Sequence, residues 1–156
     1  MKIKLISIGK TTEAYLKEGI KIYAERIKHF LPLEIIEIQD IKIKTTSNIN
    51  FIKEKEAEAV QKHINQGDIV ILLDENGEHY DSKKFASFVE KNTIQNAKCM
   101  VFIIGGAYGF SEKLYQSATH KISLSRMTFT HQMVRLILLE QIYRAFMIRS
   151  GRPYHR

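Results

Sequence analysis

Lys98–Phe110 reads KCMVFIIGGAYGF: six apolar residues, two glycines, then a short polar and aromatic loop. An uninterrupted apolar run that stops at glycine is the pattern of a strand covered on both faces, as in parallel sheets. Ser111 follows as the cap of a short helix, so the segment predicts strand, glycine loop, helix. Working outward, DIVILLD (68–74) is a second run of this kind, and ENGE (75–78) turns the chain toward a helix capped by Asp81 or Ser82 and ending near Asn92. On the other side, HKISLS (120–125) makes a fifth strand, and the helix from about His131 to Ser150 is apolar on nearly every face.

Nearer the N-terminus, KIKLISIG (2–9) alternates apolar and basic residues as a strand does, and Thr11 or Thr12 is expected to cap a helix running to about His29. Pro32 closes that helix, LEIIEIQD (33–40) is a strand, and a polar loop through Asn48 leads to an amphipathic helix, FIKEKEAEAVQKHIN (51–65), whose KEKEAEA run reads as a solvated face. Strand and helix alternate five times, which argues an α/β fold with a largely parallel sheet and flanking helices. In 156 residues one sheet layer cannot hide a final helix that is apolar all round, so a homodimer packed through it is expected.

The glycine loop invites a nucleotide-binding reading and fails it. A dinucleotide site needs G-x-G-x-x-G, whereas Gly105, Gly106 and Gly109 give G-G-x-x-G, and no Asp or Glu lies between Glu112 and Glu140 to meet a ribose. The loop carries no G-K-[ST] of a P-loop either. Glycines at a strand end do allow close backbone approach to a ligand, and in parallel sheets ligands collect outside the carboxyl ends of the strands. The loops after the third, fourth and fifth strands are therefore the candidate site.

Six scattered histidines without an H-x-x-x-H pattern give no metal site, and the single cysteine, Cys99, reads as a buried small hydrophobe. The first apolar run is too short for a signal peptide or a membrane span, so a soluble cytoplasmic protein is expected. Net charge is +7, but unevenly placed: residues 1–120 carry 17 basic and 16 acidic side chains, residues 121–156 carry 7 and 1, and six of those seven are arginine. Arginine's planar fork suits phosphates and base edges, which points to a nucleic-acid partner.

Together LLDENG (72–77), FIIGGAYG (102–109), SLSRMTFTHQMVRLILLEQIYRAF (123–146) and RPYHR (152–156) resemble the RlmH family of SPOUT-class ribosomal RNA methyltransferases. The resemblance implies a single SPOUT domain over residues 1–156 with a C-terminal trefoil knot, an obligate homodimer, and S-adenosyl-L-methionine as cofactor. It implies methylation at N3 of pseudouridine 1915, in conventional numbering, in helix 69 of 23S rRNA within the assembled ribosome. Cofactor-binding positions carry over onto Leu73, Gly105, Leu124, Ser125, Arg126, Met127, Thr128 and Phe129, and functional roles onto Tyr154, His155 and Arg156. Methyl transfer to an imide nitrogen needs its proton removed or the developing anion stabilised. His155, Tyr154 and Arg156 are the catalytic candidates, with the tail reaching across the dimer to finish the partner's site. Arg135, Arg152, Tyr154 and Arg156 are the candidate RNA contacts, the first also able to meet the cofactor's carboxylate. His131 is expected to cap or pack, and Glu140 with Arg144, four apart, to form a structural pair at the dimer contact. A ribosome-binding module without activity, and a SPOUT enzyme acting on another RNA, are the alternatives at this stage.

Overall fold

The computed structural model describes residues 1–41, 48–94 and 97–154. Ten elements alternate: β1 Lys2–Ile8, α1 Ala14–Lys28, β2 Leu33–Ile38, α2 Ile49–Gln61, β3 Ile69–His79, α3 Ser82–Ile94, β4 Cys99–Ile104, α4 Glu112–Ser117, β5 His120–Ser123 and α5 His131–Arg149. The strands form one sheet in the order β2-β1-β4-β3-β5, every pairing parallel. Each central strand divides its side chains between two cores. Ile3, Leu5, Ile71, Phe102 and Ile104 pack with residues of α1, α3 and α5. Ile6, Ile8, Leu72, Val101 and Ile103 pack on the other face with Ala57 and Val60 of α2 and Leu114 of α4. The apolar runs are strands because both faces are covered.

The alternation of β1 has a different cause from the one its sequence suggests. Lys4 is buried in the second core, and its Nζ donates to the carbonyl of His63 at 2.6 Å, so the basic residue is inside and satisfied. Cys99 is buried, and burial pushes its thiol up from its ordinary value, which makes it an inert hydrophobe.

Two caps sit where the sequence placed them, Asp81 accepting from Lys84 N at 2.7 Å and Ser111 from Leu114 N at 3.3 Å, and Asn48, read as the end of a polar loop, caps α2 by accepting from Asn50 N. The threonines before α1 do not cap it. Its N-cap is Glu13, without a side-chain bond, because Thr11 is bound to Glu37 and Arg135 and Thr12 to Gln132. Nor is KEKEAEA wholly solvated, since Glu56 is only 7% exposed. Burial, with Asp40 nearby, pushes its carboxyl up.

Helix α5 is the longest, and Leu138, Leu139, Ile142, Ala145 and Phe146 bury one side of it. Phe146 stacks on Phe30 with centroids 5.0 Å apart. Its other apolar residues, including Met133, Leu136, Ile137, Tyr143 and Met147, are half-buried. No helix among the described residues is long and apolar enough to cross a membrane.

Candidate functional site

The carboxyl ends of β3, β4 and β5 lie side by side because Leu73 pairs with both Ile104 and Ile122 in a parallel register. The chain that leaves each end therefore emerges at one edge of the sheet, and the three loops enclose a cavity of about 760 Å³. All eight positions expected to hold the cofactor line it: Leu73, Gly105, Leu124, Ser125, Arg126, Met127, Thr128 and Phe129.

Each wall has a local cause. β3 does not end at Asp74 as the sequence suggests. It runs on to His79, with Asp74–Gly77 bulging out while Ile122 pairs with both Leu73 and Glu78. The bulge turns because Asp74 Oδ1 accepts from Asn76 N at 2.8 Å, and it closes on β5 because residue 77 has no side chain. A Cβ at Gly77 would lie 2.6 Å from the backbone N and C of Ile122. The β4 wall is the glycine loop. A Cβ at Gly106 would come within 2.7 Å of Glu56 Oε1, which is how the buried acid of α2 fits beneath it. The third wall, residues 124–130, is shaped by two serines: Ser123 Oγ donates to Ser125 O, and Ser125 Oγ accepts from Met127 N, each at 2.9 Å. Thr130 then caps α5 through Met133 N at 3.2 Å.

The lining is apolar at Leu73, Ile104, Ile122, Leu124 and Val134, and polar or charged side chains make up much of the rest. Tyr115 Oη donates to Asp74 Oδ2, and burial together with that carboxylate pushes the phenol up to about 12. Lys53, Asp74, Tyr108, Tyr115 and His131 border the cavity without having been singled out from the sequence as lining it. Asp74 and Tyr108 sit in the quoted loops and were findable there; Lys53 and Tyr115 arrive from helices α2 and α4, and no local pattern announces them. Among the described residues no three His, Cys, Asp or Glu side chains gather as a metal site would require.

The RNA candidates separate. Arg135 is 1% exposed, so it neither faces a solvent-borne RNA nor opens onto the cavity. Its Nη1 donates to Thr11 Oγ1 at 2.8 Å and Glu37 Oε1 at 3.1 Å, and its Nη2 to the Ile8 carbonyl at 2.8 Å. Arg152 is exposed. Tyr154 rests on α5. Its ring lies 4.9 Å from the Arg144 guanidinium carbon and edge-on to Tyr143, and its hydroxyl is 3.3 Å from that of Tyr23. Glu140 pairs with Arg144 through Nε at 3.0 Å and through Nη2. Burial and the Tyr23 hydroxyl push the Tyr154 phenol up to about 12, so it stays protonated at neutral pH. His155 and Arg156, the other catalytic candidates, lie outside the described residues.

The family model described as "Predicted SPOUT methyltransferase" matches residues 1–155. A Parabacteroides distasonis protein named ribosomal RNA large subunit methyltransferase H is 49% identical over 156 residues, covering 99% of each chain. A Geobacter protein of the same name is 48% identical over 155 residues, again covering 99% of each. Among solved structures, a methylase-family protein of Haemophilus influenzae superposes with a TM-score of 0.52 at 12% identity, covering 96% of this chain and 66% of that one, a likeness of fold.

Proposed function

The chain belongs to the SPOUT methyltransferase family, and from that premise we propose that it transfers a methyl group from S-adenosyl-L-methionine to RNA of the large ribosomal subunit. The observation that carries the reading is the cavity at the strand ends, bordered by all eight positions that the family resemblance assigns to the cofactor. We take residues 1–156 as one SPOUT domain with the family's C-terminal knot, acting in the cytoplasm on N3 of pseudouridine 1915 in helix 69 of the 23S rRNA, as the RlmH resemblance implies.

The cavity fits the cofactor in size and chemistry. Its volume is within the range of small-molecule sites, its walls mix apolar and polar side chains, and the loops Gly105–Gly109 and 123–130 bring main chain to its edge. S-adenosylmethionine carries no phosphate, and the glycine loop lacks a phosphate-binding motif. When bound, the cofactor supplies a methyl group activated by its sulfonium.

What the chain contributes is alignment and management of one proton. The imide N–H of the base is a weak acid whose proton leaves as the methyl group arrives. Tyr154 is held protonated by its surroundings, which suits it to stacking on a base or donating a hydrogen bond and not to taking the proton. We assign the proton to His155 and stabilisation of the developing anion to Arg156, with Arg152 on the phosphates.

The tail belongs to the opposite site of a homodimer in this reading. Tyr154 contacts Glu140, and six residues of α5, about 9 Å of helix, separate Glu140 from Val134 on the chain's own cavity. The half-buried apolar face of α5 supports a second subunit there.

Transfer of labelled methyl from S-adenosylmethionine to ribosomes lacking the modification tests the proposal, comparing the intact chain with one truncated after Gly151. Label on large-subunit RNA with the intact chain, lost on truncation while cofactor binding persists, is the expected result. No transfer and no cofactor binding by the intact chain would overturn it.

A further inference from the structure

Residues 124–130 form the cavity wall that hangs between two anchors. On one side Ser123 is fixed in the ladder opposite His79. Between Leu124 and Phe129 the two serine bonds hold the segment, Thr130 at its end caps α5, and Met127 is 75% exposed, so little packing holds its course. On the other side the segment runs directly into the first turn of α5. How that turn is held therefore decides where the wall stands.

The turn is held by Arg135. Its guanidinium reaches the end of β1 through the Ile8 carbonyl, the following turn through Thr11, and β2 through Glu37. Glu37 Oε1 in turn accepts from Thr11 N at 3.0 Å, and Gln132 Oε1 accepts from Thr12 N at 2.8 Å, so the contacts form one clamp. Arg135 Nε is buried without a partner. Stability alone is a poor reason for this arrangement, because a buried ion pair is commonly matched or bettered by an apolar side chain of similar volume. What the planar fork does that an apolar side chain cannot is fix three directions at once. His131 and Val134, which line the cavity, stand on the same turn of helix.

We propose that Arg135 is a positioning residue for cofactor binding: by locking the first turn of α5 to Ile8, Thr11 and Glu37, it sets the path of residues 124–130 and so the shape of the cavity wall. The proposal rests on the reading of that cavity as the S-adenosylmethionine site. Without the clamp the wall samples other courses, and apparent affinity falls by the fraction of time it is correctly formed.

The test uses the full chain with Arg135→Met, Arg135→Lys and Thr11→Val, measuring S-adenosylmethionine binding by calorimetry, KM and kcat for methyl transfer, and trypsin cleavage after Arg126. R135M should weaken cofactor binding and raise its KM about tenfold, the result for a wall formed a tenth of the time. Saturating cofactor should restore most of kcat, and cleavage after Arg126 should accelerate by a similar factor. R135K keeps the charge but not the fork and should fall between. Where R135M does not fold, T11V removes only the Thr11 hydroxyl, which accepts from Arg135 and donates to Glu37, and should still shift KM and cleavage about threefold, on the order of 0.6 kcal/mol by the same arithmetic. Folded R135K and T11V with unchanged affinity and unchanged cleavage would overturn the proposal. If the intact chain binds no cofactor, the functional reading fails separately, and the cleavage rates still decide whether Arg135 holds the wall.

Discussion

Gly77→Ala probes the closest backbone approach in the site. An ideal Cβ at this position would lie 2.6 Å from the backbone N and C of Ile122 and 2.8 Å from its Cα. Ordinary carbon contacts begin near 3.5 Å, so the deficit is roughly 0.9 Å. Nothing can rotate away, since the obstruction is main chain, and β5 must move off β3. That shift strains the ladder bonds where Ile122 meets Leu73 and Glu78. Overpacking of this kind costs about 1–3 kcal/mol, and one weakened ladder bond adds about 1, giving roughly 2–4 kcal/mol. For a chain of this size that is a fall in Tm of roughly 5–15 °C. Because Ile122 leads into Leu124 and the cavity wall, cofactor affinity should fall with it. Gly106→Ala is the control: its Cβ would be as close, 2.7 Å, but to Glu56 Oε1, the end of a side chain that can swing aside. Urea unfolding followed by circular dichroism, paired with cofactor titration, separates the two. G77A as stable as G106A, or indistinguishable from the unsubstituted chain, would refute the reasoning.

Ser125→Ala removes the acceptor of Met127 N in the cavity wall; a loss of about 1 kcal/mol in the ordered loop should raise the cofactor KM roughly fivefold, with little change in Tm. His120 packs edge-on to Phe88, with centroids 5.0 Å apart, and burial lowers its pKa below the ordinary 6.5. The folded chain thus binds this proton less readily than the unfolded one. Stability is unpenalised above pH 6.5 and falls as pH drops from there toward the lowered value. Denaturant midpoints at pH 7.5 and 5.5 should show that fall in the unsubstituted chain, and a smaller one in His120→Gln.

The sequence made the sheet legible because β3 and β4 are apolar on both faces and end at polar or glycine-rich loops, a pattern with few other causes. It made the caps at Asp81 and Ser111 legible because each acts within three residues of itself. Thr11 and Thr12 have the same capping chemistry but were claimed by partners more than a hundred positions away, Arg135 and Gln132, which no local pattern reveals. Arg135 and Glu56 misled for the related reason that a charged letter does not say whether its counter-charge or a neighbouring glycine has made room for it inside. The cavity was found because strand ends converge by a topological rule. The bulge at Asp74–Gly77 was not, because it depends on how closely one strand approaches another.

Residues 121–156 carry six arginines, three of them on a helix that also had to be buried, and charge and burial conflict there. Pairing removes the conflict. Arg135 is neutralised by Glu37, Arg144 by Glu140 and Arg149 by Glu90 at 2.8 Å, and two of those three carboxylates come from the first 120 residues, where charge is nearly balanced. The arginines on the body of α5 are thus spent within the chain, and the helix can meet a second copy without stripping water from free cations. Of the remaining basic residues described, Arg126 borders the cavity, Lys121 lies over the ring of Tyr115, which also borders it, and Arg152 opens the tail. Within residues 121–154 the charge left without a carboxylate thus stands at the cavity and at the start of the tail, where the proposed function needs phosphate contacts.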